Sequence, residues 1–582
     1  MRRGVTDEAR SVRRVLLLGT AALLVVRMAL ALVRPGPILL SDEIGYLTNA
    51  RVLAGGTGAD LLTTSFYEAG YSLVLVPVVG LVHDPVAAYR LVIVVNALLA
   101  ASVFPLLYLL LTSGFEVTPR VAVWPALAGA CYPSVTLSAG VAMGENLLYP
   151  LLVAWLLCLG LLIRARTAAT AAGWATAAGL AAAALWLVHA RMLVALALTA
   201  VVVVGVGWRR RELRPAAGGV LVLAAGLVPA HLLTVLLVQE NYGGRDFTAT
   251  LAKLSRLGDL DRLALGTRNL VAQTWYLLVA TLGVVLAFLL SDPGRSLERL
   301  RHRTPAPKDV LLGLLLLTAA GLLLVSALSF GHARRADRLV YGRYAEIAAP
   351  PLLALALSRL AARRPALGPG VVVAVLLGLS AVVAVMRLNL DARGAVNTLS
   401  VGGFPFRTGD LGAWRLFGAG VVAACVARLV FVVLRRAPER APLVVIAAFT
   451  VVTASALQPL LHRSRVVYPA GWVSIGDVAR HVGLTGVAYD EDGDGDDRVR
   501  DGGLIYPWFL REAVLVRFSG CRQPPPAGYL LSTADWPAHH PARPAREVWQ
   551  DPARDLTLWA LRPAAPVQEA AARSASALPC RS

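Results

Sequence analysis

An α-helical protein that crosses a membrane many times, followed by a small α/β domain, is the fold class this sequence predicts. Three observations carry the prediction. Hydrophobic residues make up 57% of the 582 residues and charged residues only 16%, against about 25% charged in ordinary globular chains. Apolar runs close to the ~20 residues of a membrane helix recur through residue 461. Beyond that point the composition turns polar, with Trp472, Trp508, Trp536, Trp549 and Trp559, many prolines and an acidic run. The chain therefore reads as a transmembrane domain over 1–461 and a soluble C-terminal domain over 462–582.

The formal charge of +20 would point to a polyanion partner in a soluble chain. In a chain this apolar it bears on membrane orientation instead, and a nucleic-acid partner is not expected. All but two of the 56 basic residues are arginine, the exceptions being Lys253 and Lys308.

Taken in order, the apolar runs fall at 15–33, 87–111, 121–139, 146–163, 170–188, 192–207, 217–238, 273–290, 310–330, 345–361, 370–387, 413–434 and 442–461, about thirteen spans. The first follows Arg2, Arg3, Arg10, Arg13 and Arg14 and has no small-residue cleavage site after it, so it reads as a retained signal anchor. Arg27 inside it should face other helices or a cavity. The stretch 170–207 is split by Trp186-Leu-Val-His189-Ala-Arg191. Cys131, Cys158 and Cys425 lie in apolar runs and read as core thiols.

Orientation follows from the arginines. Short basic loops at Arg164/Arg166, 208–214, 295–308, Arg363/Arg364 and 435–440 alternate with longer loops of mixed charge. The positive-inside rule places the basic set and the N-terminus in the cytoplasm. An odd number of spans then puts the C-terminal domain outside, in a multi-pass protein of the plasma (inner) membrane. The outer side holds 34–86, 239–272, 331–344, 388–412 and the tail. Within 239–272, Leu251, Leu254, Leu257 and Leu260 mark an amphipathic helix. In the tail, 473–482 reads as a helix, and 486–489, 513–518, 528–532 and 557–561 read as strands. Cys521 and Cys580 are candidates for a disulfide if the tail lies outside the cytoplasm.

The richest stretch is Ser41-Asp42-Glu43-Ile44-Gly45-Tyr46-Leu47-Thr48-Asn49-Ala50-Arg51. Ser41 fits an N-cap, and two carboxylates in the first turn suit the helix dipole. A capped interfacial helix would explain that much. A carboxylate at the membrane surface among apolar residues is nevertheless costly without a partner or a role. A general base that deprotonates a hydroxyl has this character.

Asp42-Glu43-x-x-Tyr46-x-x-x-Ala50-Arg51 resembles the first-loop motif of the GT-C membrane glycosyltransferases, in the branch of protein O-mannosyltransferases and lipid A aminoarabinose transferases. Glu68-Ala-Gly-Tyr71, Tyr89-Arg90, Glu145 and Arg343-Tyr344 before Pro350-Pro351 follow the same order. The resemblance covers roughly 15–361. It departs at Glu68-Ala69-Gly70, where aminoarabinose-type members have a charged residue before Pro-Pro, and the Trp-Trp-Asp motif of oligosaccharyltransferases is absent.

The resemblance implies an inverting transfer of a sugar from a polyprenyl-phosphate donor to a hydroxyl acceptor: a lipid, a cell-wall glycan or a protein. It implies Asp42 as base, with Glu43 and Glu68 assisting. Arg343, Tyr344 and Arg191 are the candidates to bind the donor phosphate, and Tyr46, Arg90 and Glu145 to position substrate. Arg334, Arg335 and Arg338 read better as headgroup anchors. A divalent cation at Asp42 and Glu43 stays open.

In the tail, Asp490, Asp492, Asp494, Gly495 and Asp501 have the spacing of a calcium loop. Asp at the last ligand position, Asp497 at a normally apolar position and strand-like flanks favour a solvated acidic turn. Calcium there would be structural. No phosphate-binding glycine loop, Cys-x-x-Cys or His-Glu-x-x-His occurs. A transporter or flippase of lipid-linked sugars is the second reading. It would call for mid-membrane charges and repeated halves, whereas the acids here cluster in one loop. A non-catalytic scaffold is a third reading, but it leaves Asp42 and Glu43 unexplained.

Overall fold

The computed structural model describes residues 2–31, 35–38, 40–58, 61, 66–211, 213–242, 260–291, 305–329, 336–362, 368–388, 412–469, 472–490, 505–511, 513–518, 525, 528–541, 543–551 and 554–561. The helices are α1 (Arg2–Ala31), α2 (Leu40–Leu53), α3 (Ala69–Leu81), α4 (Pro85–Leu109), α5 (Pro119–Ala130), α6 (Pro133–Ala139), α7 (Glu145–Arg164), α8 (Ala168–Val188) and α9 (Leu193–Arg210). There follow α10 (Leu213–Asn241), α11 (Leu260–Ala280), α12 (Val284–Ser291), α13 (Pro307–Ser329), α14 (Ala349–Ala362), α15 (Pro369–Leu388), α16 (Ala413–Arg436), α17 (Ala441–Val467) and α18 (Ile475–Val482).

Each of the thirteen expected spans is helical over most of its described residues. Nine helices among the described residues are long and apolar enough to cross a membrane, or eleven if two bent pairs count as one span each. The bent pairs are α5–α6, at 54°, and α11–α12, at 105°. Proline explains the first break: Pro133 opens α6 and cannot donate to the turn before it. At the second, Leu282 and Gly283 both have positive φ, 54° and 70°, and end α11. The remaining two expected spans are α1 and the 14-residue α14. A three-residue 3-10 turn, Ala190–Met192, divides 170–207 where His189 and Arg191 were expected to divide it.

The chain forms two compact units. One comprises Met1–Ala31, Ile93–Thr234 and Asp246–Leu460; the other comprises Leu32–Val92, Val235–Arg245 and Leu461–Ser582.

In the first unit, α7 packs on α8, α5 on α14 and α15 on α16. Arg27 is 1% exposed. It meets the expectation for an intramembrane cation by donating to the carbonyl of Ala130 and to Thr136 Oγ1, at the α5–α6 break. Glu116 receives Lys308 at 3.0 Å and also Arg164. Residues that the alternation of spans puts on one side are thus in contact. Cys131 and Cys158 are half-buried, but Cys425 is exposed on α16, against the expectation of a core thiol. An apolar run cannot separate a core face from a lipid face, because both are apolar.

The second unit contains a five-stranded sheet, β1 (Gly486–Asp490), β2 (Val514–Phe518), β3 (Tyr529–Thr533), β4 (Ala545–Asp551) and β5 (Leu556–Leu561), in the order β2-β1-β3-β5-β4. β1 pairs in parallel with β2 and β3, while β5 runs antiparallel to β3 and β4. Ala488, Phe518, Leu530, Trp536 and Trp559 form a core against it. β4 was missed in the sequence because Ala545-Arg-Glu-Val-Trp-Gln-Asp551 is an edge strand whose charged residues hide its alternation. Asp551 is fully buried and accepts from Tyr506 Oη at 2.7 Å and Arg554 at 2.5 Å.

Candidate functional site

The two sets of candidate residues fall in different units. In the second unit, α2 begins at Leu40, two residues before Asp42. Asp42 and Glu43 occupy its first turn, as expected. Glu43 is fully buried, and its carboxylate accepts from the Ile38 N–H and from Tyr89 Oη, both at 2.7 Å. This reach back satisfies a buried N–H in the chain just before the helix. Asp42 is half-buried and accepts from Tyr67 Oη at 2.7 Å.

Aromatic rings hold this acidic turn. Tyr46 is 1% exposed and packs on the rings of Tyr67 and Tyr71, with centroids 5.1 and 5.3 Å away. Gly45 lets Tyr67 approach, since a Cβ there would lie 2.1 Å from its ring. Asn49 donates to the Tyr67 carbonyl at 2.7 Å, and Asn241 donates to Asn49 at 2.8 Å. Glu68 precedes α3 in extended conformation and is half-buried. Arg90 is exposed on α4, although Tyr89 beside it is buried.

Arg51 of the same motif acts on backbone. It is buried and donates to the carbonyls of Thr57, Gly58 and Pro507. Burial, and then the charge of Arg511, pull its pKa down to about 10. The C-terminal residues of this unit support the loop at further points. Tyr468 Oη donates to the Pro37 carbonyl at 2.8 Å, next to the Ile38 that caps Glu43. Arg511 donates to the carbonyls of Val79 and Val82 at the end of α3, where cations suit the helix dipole.

In the first unit, Glu145, Arg191 and Arg343 converge. Glu145 opens α7 and is 4% exposed. Arg191 Nη2 lies 3.0 Å from its Oε1; Arg343 approaches with Nε at 2.7 Å from Oε1 and Nη2 at 3.3 Å from Oε2. Arg191 stacks over Tyr344 at 4.3 Å, and His189 and Tyr341 meet the same ring edge-on. Nε and Nη1 of Arg191 are buried without an acceptor. Buried donors of this kind are costly unless an acceptor arrives. Beside Glu145 and Arg343 lies a cavity of about 10 Å³, also lined by Ser134, Tyr149 and Glu346; it has room for one water. Arg338 is buried as well, and Gln273 donates to its carbonyl at 2.9 Å; Arg334 and Arg335 lie outside the described residues.

Among the described residues, no three His, Cys, Asp or Glu side chains group closely enough to hold a metal ion. Both oxygens of Glu43 already accept protein donors. Of the calcium-loop candidates, Asp490 is buried at the end of β1 and accepts from Ser532 at 3.3 Å. Asp492, Asp494 and Asp501 lie outside the described residues, as do Cys521, Cys580 and the leucine-rich stretch 251–259.

Glu346 escaped the sequence reading. It is fully buried and accepts from Tyr132, Ser134 and Tyr276. The signal was present: Glu346 is an acid inside the expected span 345–361, which marks a residue with partners or a role.

A scan against protein-family models and a search of curated proteins gave no match. Among solved structures the chain is similar to ArnT from Cupriavidus metallidurans bound to undecaprenyl phosphate. Identity is 16% and the TM-score 0.53, over 94% of this chain and 97% of that one. The apo state of the same protein matches over the same shares at 16% identity with a TM-score of 0.50. At this identity the likeness is one of architecture: the chain shares the fold of that ArnT over nearly its whole length.

Proposed function

We propose that this protein is an integral-membrane glycosyltransferase. It moves a sugar from a polyprenyl-phosphate donor to a hydroxyl acceptor on the outer face of the membrane, with inversion at the anomeric carbon. The observation that carries the reading is the fold match, near-complete in both directions, to a protein crystallised with undecaprenyl phosphate.

In the proposed reaction the acceptor oxygen attacks the anomeric carbon and its proton passes to Asp42. The bond from that carbon to the phosphate oxygen breaks, and polyprenyl phosphate leaves with the electron pair. Asp42 is the half-buried, and Glu43 the fully buried, carboxylate of the first turn. Asp42 is therefore the better base, and Glu43 a group that holds the turn. Arg343 and Arg191 neutralise the leaving phosphate, a stabilisation of developing charge that commonly supplies the largest share of catalysis. Glu145 aligns the two guanidiniums, and the unsatisfied donors of Arg191 are what an incoming phosphate would meet. Tyr344 orients Arg191 from below.

The test uses purified protein in nanodiscs with labelled polyprenyl-phosphate sugars and a panel of lipid, glycan and peptide acceptors. Transfer by the wild type, lost in Asp42→Asn with donor binding retained, is the expected result. Donor translocation across a vesicle membrane with no transfer to any acceptor would replace the enzyme with a flippase.

A further inference from the structure

Glu346 sits three residues after Arg343, and no motif in the chain draws attention to it. Its carboxylate gathers three hydroxyl groups from two other parts of the first unit. Tyr132 Oη, at the α5–α6 break, and Tyr276 Oη, on α11, donate to Oε1 at 3.0 and 2.6 Å. Ser134 Oγ, on α6, donates to Oε2 at 2.6 Å. A carboxylate buried in an apolar unit is tolerated when such donors replace its water.

The clamp is tied to Arg343 through backbone. The Glu346 and Ala345 N–H groups both donate to the Gly342 carbonyl at 2.9 Å, closing a tight turn that has Arg343 as its second residue. Tyr276 grips the same turn twice. Its hydroxyl reaches Glu346, and its ring covers Gly342 so closely that a Cβ there would lie 1.9 Å from it. One turn earlier on α11, Gln273 holds the carbonyl of Arg338 at 2.9 Å. On the other side, Ser134 begins the stretch of chain that leads to Glu145. Arg343 and Glu145 thus meet through their side chains and are braced through Glu346 behind.

We propose that Glu346 is a positioning residue for anion binding by Arg343: its three-hydroxyl clamp fixes the turn 342–346 so that the guanidinium lies where a lipid phosphate reaches it. The proposal rests on the reading of the site given above. It separates the turn's rigidity from the charge of Arg343, which the clamp leaves untouched.

The experiment measures binding of undecaprenyl phosphate to full-length protein in nanodiscs, together with hydrogen exchange of the 341–348 amides. Tyr276→Phe and Glu346→Ala should weaken binding, Glu346→Ala by tenfold or more, since misplacement by about 1 Å can cost on the order of 100-fold. Exchange at 341–348 should rise in both. Glu346→Gln keeps an acceptor oxygen for Tyr132 and Tyr276 and should bind within about threefold of wild type, a loss below ~1 kcal/mol at 1.4 kcal/mol per tenfold. In an Arg343→Ala background, Glu346→Ala should add nothing, because its effect passes through Arg343. Losses that add in that background, or unchanged binding in a Glu346→Ala protein whose turn exchanges faster, would overturn the proposal. If Glu346→Ala does not fold, Tyr276→Phe and Glu346→Gln carry the test. Wild-type protein that binds undecaprenyl phosphate but transfers no sugar would sink the proposed reaction and leave the clamp standing. Wild-type protein that does not bind it would sink both.

Discussion

The guanidinium of Arg343 lies along the carboxylate of Glu145 as a two-pronged pair, with Nε 2.7 Å from Oε1 and Nη2 3.3 Å from Oε2. Arg191 adds a third donor at 3.0 Å. The pairing uses the planar fork of arginine, which lysine does not possess. Arg343→Lys should keep the charge and still lose the alignment. Donor KM should rise by tenfold or more, a loss of at least ~1.4 kcal/mol, with thermal stability little changed. An unchanged KM would show that charge alone suffices.

Removing the acid is a different perturbation. Glu145→Ala would leave two buried guanidiniums facing each other without their common anion. Breaking a buried pair from one side costs about 3–5 kcal/mol. The expected result is a large fall in midpoint on thermal unfolding in detergent, and partial recovery when Arg191→Met is added. A loss below about 1 kcal/mol would mean that water screens the cluster as it screens surface pairs.

Gly45 offers a test of the acidic turn that touches no charged group. A Cβ there meets the Tyr67 ring at 2.1 Å, and Tyr67 in turn donates to Asp42. Gly45→Ala should push Tyr67 off Asp42 and cost about 1–3 kcal/mol, the usual range for overpacking. Tyr67→Phe removes only the hydroxyl. If the hydrogen bond orients Asp42, both variants should lower kcat, with Gly45→Ala alone lowering stability. Wild-type kcat in Tyr67→Phe would remove Tyr67 from the account.

How far the sequence carried the reading depends on which physical rule each feature obeys. The spans were legible because twenty apolar residues satisfy one length rule regardless of neighbours, and α7 and α17 lie where that rule puts them. Asp42, Glu43 and Glu145 stood out as acids among apolar residues. Tyr67, Tyr132 and Tyr276 did not, because a tyrosine has no local mark of what its hydroxyl touches, and Tyr276 lies 70 positions from Glu346. Cys425 failed for the converse reason: periodicity does not tell lipid from protein core. The support of the first loop by Tyr468 and Arg511 was illegible because such contacts join residues more than 400 positions apart.

That support makes its own prediction. Tyr468 fixes the Pro37 carbonyl, and the following Ile38 N–H caps Glu43. Burial pushes the Tyr468 phenol well above its ordinary pKa, so it stays a donor across the working pH range. Tyr468→Phe should loosen the entry to α2 without touching a charged group. Expected are faster hydrogen exchange at 38–44 and a fall in kcat of about tenfold or less, in keeping with one lost hydrogen bond of ~1 kcal/mol. Exchange unchanged at 38–44 would disconnect the C-terminal residues from the acidic turn.

Glu116 supplies a pH signature. The hydrogen bonds from Lys308 and then Arg164 hold its carboxyl below the usual range. Protonating it in the folded protein is therefore harder than in the unfolded chain. The unfolded state then binds more protons as the pH falls below the ordinary carboxylate value, and folding stability drops with it. Glu116 thus contributes stability that is fully present above the unfolded pKa and is lost as the pH falls through the folded one. Its side chain is 48% exposed, so the contribution is a small one and should shrink in high salt. Thermal midpoints of wild type and Glu116→Gln, followed from pH 7 downward at low salt, should converge below the carboxylate range and separate above it. Parallel curves would mean that Lys308 and Arg164 do not stabilise the ionised form.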